Sequence, residues 1–212
     1  MSTNQTYIPA LSIDALTRYY DPALATIFQE QRFRMPLVNR NAQTGDRVLD
    51  IGCGTATLML LVGEHTAAKC VVGLDIDPAM LATAAQKTAQ RNDLLLLTRG
   101  SAACLPYADG SFDHVVSSLM LHHLETMQKQ GMLAEAWRVL KPGGSILVMD
   151  FGPVGSGMVT EGTAAVFGRF ERIDDNLRGR VPEFLRVAGF VDVFMEDVAL
   201  AGVVKMYSGR KG

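Results

Sequence analysis

The stretch RVLDIGCGTA (47–56) decides the fold of this chain, because it joins a short apolar run to a loop with two glycines. Glycine lets the backbone turn tightly and lets a ligand approach closely, and a helix that starts beyond the loop offers unpaired N–H groups. Asp75 comes 21 positions after Gly54, where a carboxylate can accept hydrogen bonds from ribose hydroxyls. Together they predict a nucleotide-like cofactor; the alternative is a tight structural turn beside a surface acid.

Outward from this stretch, short apolar runs alternate with helical stretches. The runs are typical of strands buried on both faces of a parallel sheet: RVLDIG (47–52), CVVGLDI (70–76), LLLLTR (94–99), HVVSSLM (114–120) and SILVMD (145–150). Residues 78–91 and 126–140 have the start signals and spacing of helices, and Lys-Pro-Gly-Gly at 141–144 is typical of a helix end. The alternation predicts an α/β fold with a doubly wound, Rossmann-like, mostly parallel sheet.

The last part of the sequence departs from this alternation. FVDVFMEDVAL (190–200) and VVKMY (203–207) have strand character and are separated by two residues, too few for a parallel crossover. They predict an antiparallel hairpin over 190–208 at one side of a seven-stranded sheet. Six glycines between 152 and 179 predict a substrate loop or lid over 152–180.

Composition and charge exclude several classes of protein. The 212 residues fit a single domain, and 48% hydrophobic with 20% charged residues excludes wholesale disorder. A net charge of −2 argues against a nucleic-acid partner. Three cysteines without a CxxC pattern indicate neither a disulfide framework nor a zinc site. The start MSTNQTYIPA lacks a signal-peptide pattern and no apolar run is long enough for a membrane span, so a cytoplasmic location is expected.

The residues of the loop also favour one kind of cofactor. A dinucleotide loop would have its third glycine at position 57, which is Thr57. The carboxylate of Asp50 would repel a pyrophosphate. S-adenosylmethionine fits better, because it carries an ammonium group and a cationic sulfur and has no phosphate.

Four blocks of the sequence resemble the class I S-adenosylmethionine-dependent methyltransferases, and in particular the ubiquinone/menaquinone-biosynthesis-type small-molecule methyltransferases. The blocks follow the family's order and spacing: RVLDIGCGTA (47–56), VVGLDIDPAML (71–81), RGSAACLPYADGSFDHVVSSLMLHHL (99–124) and RVLKPGGSILVMDFG (138–152). They cover about half of the chain, so 47–150 is expected to be the cofactor-binding core. YYDP (19–22) resembles the family's helical lead-in, which implies lid helices over 1–40.

The resemblance implies cofactor-binding roles for these residues: Asp50, Gly52, Cys53, Gly54, Asp75, Ile76, Ser101, Ala102, Ser117 and Leu119. The loop from Asp50 would hold the methionine end, Asp75 and Ile76 the ribose and the adenine, and Ser101-Ala102 the adenine edge. Ser117 and Leu119 would line the methyl-donor pocket.

Two positions depart from the family's pattern. Ala56 stands where a third glycine is common, which suits a helical residue because alanine favours helix over glycine. Ser101 replaces a common aspartate; it keeps a hydrogen-bonding group but loses the charge, so we expect weaker adenine recognition.

The implied chemistry is an in-line displacement that yields S-adenosyl-L-homocysteine, and positioning of the reactants supplies much of the acceleration. A general base is needed only if the acceptor must lose a proton. The candidate bases are His122, His123, Tyr19, Tyr20 and Asp150. We place His122, Tyr20 and Asp150 in the catalytic set; for either histidine the alternative is a packing or capping role. No metal ligand partner accompanies the histidines, so no metal is expected.

Other interpretations remain open. The expected acceptor is a small or lipid-like molecule, and a non-catalytic relative that binds cofactor or a protein partner is the alternative. A nicotinamide-dependent oxidoreductase would use Tyr207 and Lys211, which have a Tyr-x-x-x-Lys spacing but lie at the end of a strand. Arg32 and Arg34 fit a solvated helix face better than a site for an acidic substrate. The sequence also leaves open whether the chain forms a homodimer.

Overall fold

The computed structural model describes residues 30–39, 46–91, 95–153, 172–199 and 202–212. The helices are α1 Glu30–Asn39, α2 Thr57–His65, α3 Pro78–Thr88, α4 Thr126–Val139, α5 Asp174–Leu177 and α6 Val181–Val187, with a 3₁₀ turn at Leu121–His123. The strands are β1 Arg47–Ile51, β2 Cys70–Asp75, β3 Leu95–Arg99, β4 Phe112–Ser118, β5 Leu140–Phe151, β6 Phe190–Ala199 and β7 Val204–Lys211. None of the helices within these ranges is long and apolar enough to cross a membrane.

The strands form one sheet in the order β3-β2-β1-β4-β5-β7-β6. Neighbouring strands from β1 to β5 pair in parallel, whereas β7 runs antiparallel between β5 and β6. The predicted mostly parallel, seven-stranded sheet with a terminal antiparallel hairpin is therefore confirmed. The chain reverses its direction of winding between β1 and β4, and ligands bind at the carboxyl ends of the strands at such a point.

Alternate residues of each strand pack into two separate layers. Val48 lies in the same buried cluster as Leu37 of α1, and Leu49 lies in the cluster that includes Leu133 of α4. Because side chains alternate along a strand, this assignment extends to the polar residues near the strand ends. Asp50 faces the layer of α1.

Residues 141–144 follow the end of α4, as their pattern predicts, and they also lie within β5, which that pattern does not predict. The α4 helix stops at Val139. Phe112 of β4 pairs with Leu140 of β5, and His114 pairs with Ser145, so β5 accommodates extra residues in a bulge. Gly143 has a φ of 79° and supplies the backbone conformation that this bulge needs.

The terminal hairpin also extends further than its sequence pattern predicts. The β7 strand continues to Lys211, whose Nζ donates to the carbonyl oxygen of Leu140 at 2.8 Å. The same ammonium group lies 4.0 Å from the ring centroid of Trp137, an arrangement that is attractive through the ring quadrupole. Most of the predicted lid helices (1–29) and most of the predicted substrate loop (154–171) lie outside the described residues, as do Tyr19 and Tyr20.

Candidate active site

The glycine loop turns back over the end of β2. Gly52 and Gly54 both have positive φ values, 74° and 53°, and the backbone N–H of Gly52 donates to the carbonyl of Leu74 at 2.8 Å. A side chain at position 52 would also collide with the side chain of Met120. The first glycine is therefore required by both conformation and space, and the second by conformation.

Asp75 fixes this loop from the end of β2. Its Oδ2 accepts from the backbone N–H of Gly54 at 2.8 Å, and its Oδ1 accepts from that of Asp77 at 2.9 Å. Burial raises the pKa of Asp75, and these two backbone donors oppose that rise. Since each carboxylate oxygen has two lone pairs, Asp75 can also accept hydrogen bonds from a ligand's hydroxyl groups while it holds the loop.

Ala56 has a left-handed backbone, so the condition under which alanine would suit this position, a helical backbone, is not met. Its φ is 67°, it precedes the first residue of α2, and it is fully buried. This conformation costs an alanine about 1–2 kcal/mol relative to the right-handed helical region. The loop therefore needs a third left-handed position even though this sequence places no glycine there.

Next to the loop lies a cavity of about 170 Å³. Among the predicted cofactor-binding residues, these line it: Gly52, Cys53, Gly54, Asp75, Ile76, Ser101, Ala102 and Leu119. The cavity walls also include residues that the sequence patterns did not single out: Thr55, Met80, Ser118, Met120, Gln128 and Arg172. The cofactor-binding predictions thus converge on one cavity, except for Asp50 and Ser117.

Ser117 faces away from this cavity and is replaced there by its neighbour. The Ser117 hydroxyl is fully buried and donates to the carbonyl of Ile51 at 2.8 Å. Ser118 lines the cavity, and its Oγ accepts a hydrogen bond of 3.3 Å from Nε of Arg34. The side chains of successive strand residues point to opposite faces, so Ser118 and not Ser117 lies at the cavity.

Asp50 lies behind the cavity wall rather than on it. Its side chain is 1% exposed, and neither carboxyl oxygen has a hydrogen-bond partner among the residues that the structure describes. Burial raises its pKa to about 7, the charge of Arg34 opposes this rise, and the charge of Asp75 adds to it. A buried carboxylate of this kind is costly unless it is paired, so the site fits a cofactor that brings a cationic group.

His122 and Asp150 form a buried pair next to the cavity. Nδ1 of His122 lies 2.8 Å from Oδ1 of Asp150, and the backbone N–H of His122 donates to Oδ2 at 3.3 Å. Burial favours a higher pKa for Asp150, but the charge and hydrogen bond of His122 outweigh burial and hold its pKa below the usual range. Neither residue is part of the cavity wall, so a direct contact of His122 with a substrate stays a prediction.

His123 occupies the wall position in its place. Its ring centroid lies 4.1 Å from that of His122. Burial lowers the pKa of His123 to about 3, and the charges of His122 and Arg172 act in the same direction, against that of Asp150. His123 is therefore a neutral imidazole at neutral pH, suited to hydrogen bonding with an acceptor.

Two arginines complete the polar part of the wall. Arg34 of α1 is half-buried against Ser118 rather than on the solvated face that its sequence context favours. Arg172 donates to the carbonyl of His123 at 3.2 Å and to Oε1 of Glu125 at 2.9 Å. Both contacts join residues far apart in the sequence, so no local pattern could have indicated them.

Known methyltransferases are similar to this chain. A family model described as a methyltransferase domain matches residues 48–144. The demethylmenaquinone methyltransferase of Deinococcus radiodurans is 37% identical over 117 residues, which are 55% of this chain and 48% of that protein. An uncharacterized methyltransferase of Synechocystis is 33% identical over 143 residues, 67% of this chain and 65% of that protein. The chain spans about half the length of the curated demethylmenaquinone methyltransferases that it matches.

Among solved structures, phosphoethanolamine N-methyltransferase 2 of Haemonchus contortus, in complex with S-adenosyl-L-methionine, superposes with a TM-score of 0.77. The identity is 18%, over 96% of this chain and 58% of that one, so this likeness concerns the fold alone. Residues 48–144 therefore match a methyltransferase domain, and the sequence relatives that the chain resembles over half of its length or more are methyltransferases.

Proposed function

We propose that this protein transfers a methyl group from S-adenosylmethionine to a small-molecule or lipid-like acceptor. The observation that carries the proposal is the buried carboxylate of Asp50, which has no hydrogen-bond partner among the described residues and lies behind a glycine loop that Asp75 holds in place. The name of the Deinococcus radiodurans relative makes demethylmenaquinone one candidate acceptor. A cytoplasmic location remains a prediction from the sequence, which does not decide whether the chain forms a homodimer.

The chain's own residues account for binding and orientation. When bound, the cofactor supplies a methyl group on a cationic sulfur, which an acceptor can attack in line. Asp50 and the backbone of Gly52 and Gly54 hold the methionine end, and Asp75 accepts hydrogen bonds from the ribose hydroxyls. Holding two reactants in the productive geometry can contribute about 7–11 kcal/mol to the acceleration.

We place the acceptor against His123, with Arg172 and Gln128 beside it. The neutral imidazole can accept or donate a hydrogen bond to an acceptor atom without adding charge to the cavity. His122 and Asp150 support this wall from behind, since their hydrogen bonds fix the turn that carries His123. The role of Tyr20 stays a prediction, because that residue lies outside the described ranges.

The first test is the binding of S-adenosylhomocysteine, measured by titration calorimetry. Wild type should bind it saturably, and Asp75→Ala should weaken it by the ~1.5–3 kcal/mol typical of hydrogen bonds to charged groups. Asp174→Asn changes an acid whose side chain is 77% exposed and should leave the affinity unchanged. Binding of NADH in place of S-adenosylhomocysteine would overturn the proposal.

Turnover needs a separate experiment. Wild-type protein is incubated with a labelled methyl donor and an extract of small molecules and lipids, and the labelled product is identified. His123→Ala should lower transfer to that acceptor more than it lowers cofactor affinity. Saturable cofactor binding without any labelled product would favour the non-catalytic alternative.

The geometry gives less support to a nicotinamide-dependent oxidoreductase. Tyr207 is fully buried on β7, and its hydroxyl donates to the carbonyl of Phe151 at 2.9 Å. Nζ of Lys211 donates to the carbonyl of Leu140. Neither side chain lines the cavity, so their spacing in the sequence has a structural explanation.

A further inference from the structure

Among the side chains of α1 that the structure describes (34–39), Arg34 is a polar one on the sheet-facing side. Arg34, Leu37 and Val38 follow the i, i+3, i+4 spacing that places side chains on the same side of a helix. Leu37 and Val38 are buried in the cluster that contains Val48 of β1. Arg34 therefore faces the sheet one turn before these apolar contacts, where the helix passes the cavity.

The polar groups beneath Arg34 come from two neighbouring strands. Asp50 of β1 pairs in register with Val116 of β4, and Ser118 follows Val116 by two residues on the same face. The guanidinium of Arg34 is 3.3 Å from the Ser118 hydroxyl. The charge of Arg34 also opposes the rise that burial causes in the pKa of Asp50, as expected for two side chains that lie close together.

A cation on the cavity wall, Arg34, and an anion behind that wall, Asp50, thus lie at the same end of the cavity. The amino-acid end of the cofactor carries an ammonium and a carboxylate on one carbon atom, so it needs one group of each charge close together. A carboxylate is bound well by guanidinium, whose planar donors match its two oxygens. Asp50 supplies the group for the ammonium, and the described loop residues supply backbone N–H groups and the hydroxyl groups of Thr55 and Thr57 for the carboxylate, but no cation.

We propose that Arg34 binds the carboxylate of the cofactor's amino-acid end, so that Asp50 and Arg34 recognise this zwitterion as a pair. The proposal rests on the proposed use of S-adenosylmethionine and deepens it. Arg34 is then a cofactor-binding residue, and α1 becomes part of the cofactor site instead of only a cover for the sheet.

The test compares two ligands that differ in this carboxylate. S-adenosylmethionine and decarboxylated S-adenosylmethionine, which keeps the ammonium, are titrated calorimetrically into wild type, Arg34→Gln and Arg34→Lys. Wild type should prefer S-adenosylmethionine by about 10- to 100-fold, as expected for hydrogen bonds between charged groups. Arg34→Gln should remove this preference, and Arg34→Lys should keep part of it because it keeps the charge.

The controls separate recognition from a loss of structure. Arg178→Gln changes an arginine whose side chain is 73% exposed and should leave the preference intact, and circular dichroism checks that each variant is folded. Equal weakening of both ligands in Arg34→Gln, or an unchanged preference in a folded Arg34→Gln, would overturn the role of Arg34. If wild type binds neither ligand, the proposed function itself fails, and this inference fails with it.

Discussion

At the scale of single residues, Asp50 links function to a cost in stability. The folded chain holds a proton on this carboxyl group up to about pH 7, whereas its ordinary pKa is 3.8. Between these values the folded state binds more protons than the unfolded state, so the free energy of unfolding falls as the pH rises. The same buried carboxylate is what the ammonium group of the cofactor needs, and a stability cost at functional sites is common.

We therefore expect Asp50→Asn to stabilise the cofactor-free protein at pH 8. The gain relative to wild type should be roughly 2–4 kcal/mol, and it should shrink towards zero below about pH 3, where Asp50 is mostly protonated in both states. Urea unfolding of the two proteins at both pH values measures the difference. Asp174→Asn should show no comparable gain, and a stability gain of Asp50→Asn that is equal at both pH values would contradict this account.

Residues of the site differ in how well the sequence predicts them. Asp75, Gly52 and Gly54 belong to a local motif, in which spacing along the chain is enough to place them. Whether Ser118 lines the cavity depends on which face of β4 is turned towards it. The sequence of an apolar strand that is buried on both faces does not indicate that face. The position of Arg172 in the cavity wall depends on contacts with residues far away in the sequence, so no local pattern predicts it.

At the scale of the loop between β1 and α2, two glycines permit a matched comparison. Both glycines have a positive φ. A side chain at position 52 would collide with the side chain of Met120, whereas one at position 54 would contact none of the described residues. Gly54→Ala should lower the free energy of unfolding by about 1–2 kcal/mol through the backbone alone. Gly52→Ala should lower the free energy of unfolding by about 1–3 kcal/mol more than Gly54→Ala does, because the added methyl group overpacks the loop.

Denaturant titration of the two variants gives this comparison directly. If Gly54→Ala is as destabilised as Gly52→Ala, the contact with Met120 is not what requires the first glycine. The double variant Gly52→Ala with Met120→Ala separates the cost of the backbone conformation from the cost of the contact. The smaller side chain at position 120 makes room for the new methyl group, so it should restore part of the lost free energy of unfolding.

Elements of regular structure follow from the sequence where pattern and length agree. The apolar runs predicted β1 to β5, because parallel strands buried on both faces have few polar residues. The bulge in β5 was missed because Lys-Pro-Gly-Gly (141–144) is equally typical of a helix end. Ala56 does not have the helical backbone that would suit an alanine, since the left-handed turn is imposed by the loop, against the residue's own preference.

At the scale of the whole molecule, a buried ionic cluster joins the helical layer to the wall of the cavity. Lys129 of α4 is fully buried, and its Nζ donates to the carbonyl of Arg172 at 2.6 Å and lies 3.4 Å from Oδ2 of Asp175. Asp175 also accepts from Thr126 at 2.6 Å and from Arg180 at 2.7 Å. Burial lowers the pKa of Lys129, and the charge of Asp175 opposes this.

Replacing Lys129 by methionine tests whether this cluster positions the acceptor side of the site. Asp175 keeps two donors, whereas the carbonyl of Arg172 loses one, so Lys129→Met should lower the free energy of unfolding by about 1–3 kcal/mol. Because Arg172 contacts His123, the KM for the acceptor found in the extract screen should rise more than the Kd for S-adenosylhomocysteine. Lys141→Met removes a half-exposed ion pair with Asp113 and should change both constants little. A larger change in the Kd than in the KM would show that the cluster supports the cofactor site instead.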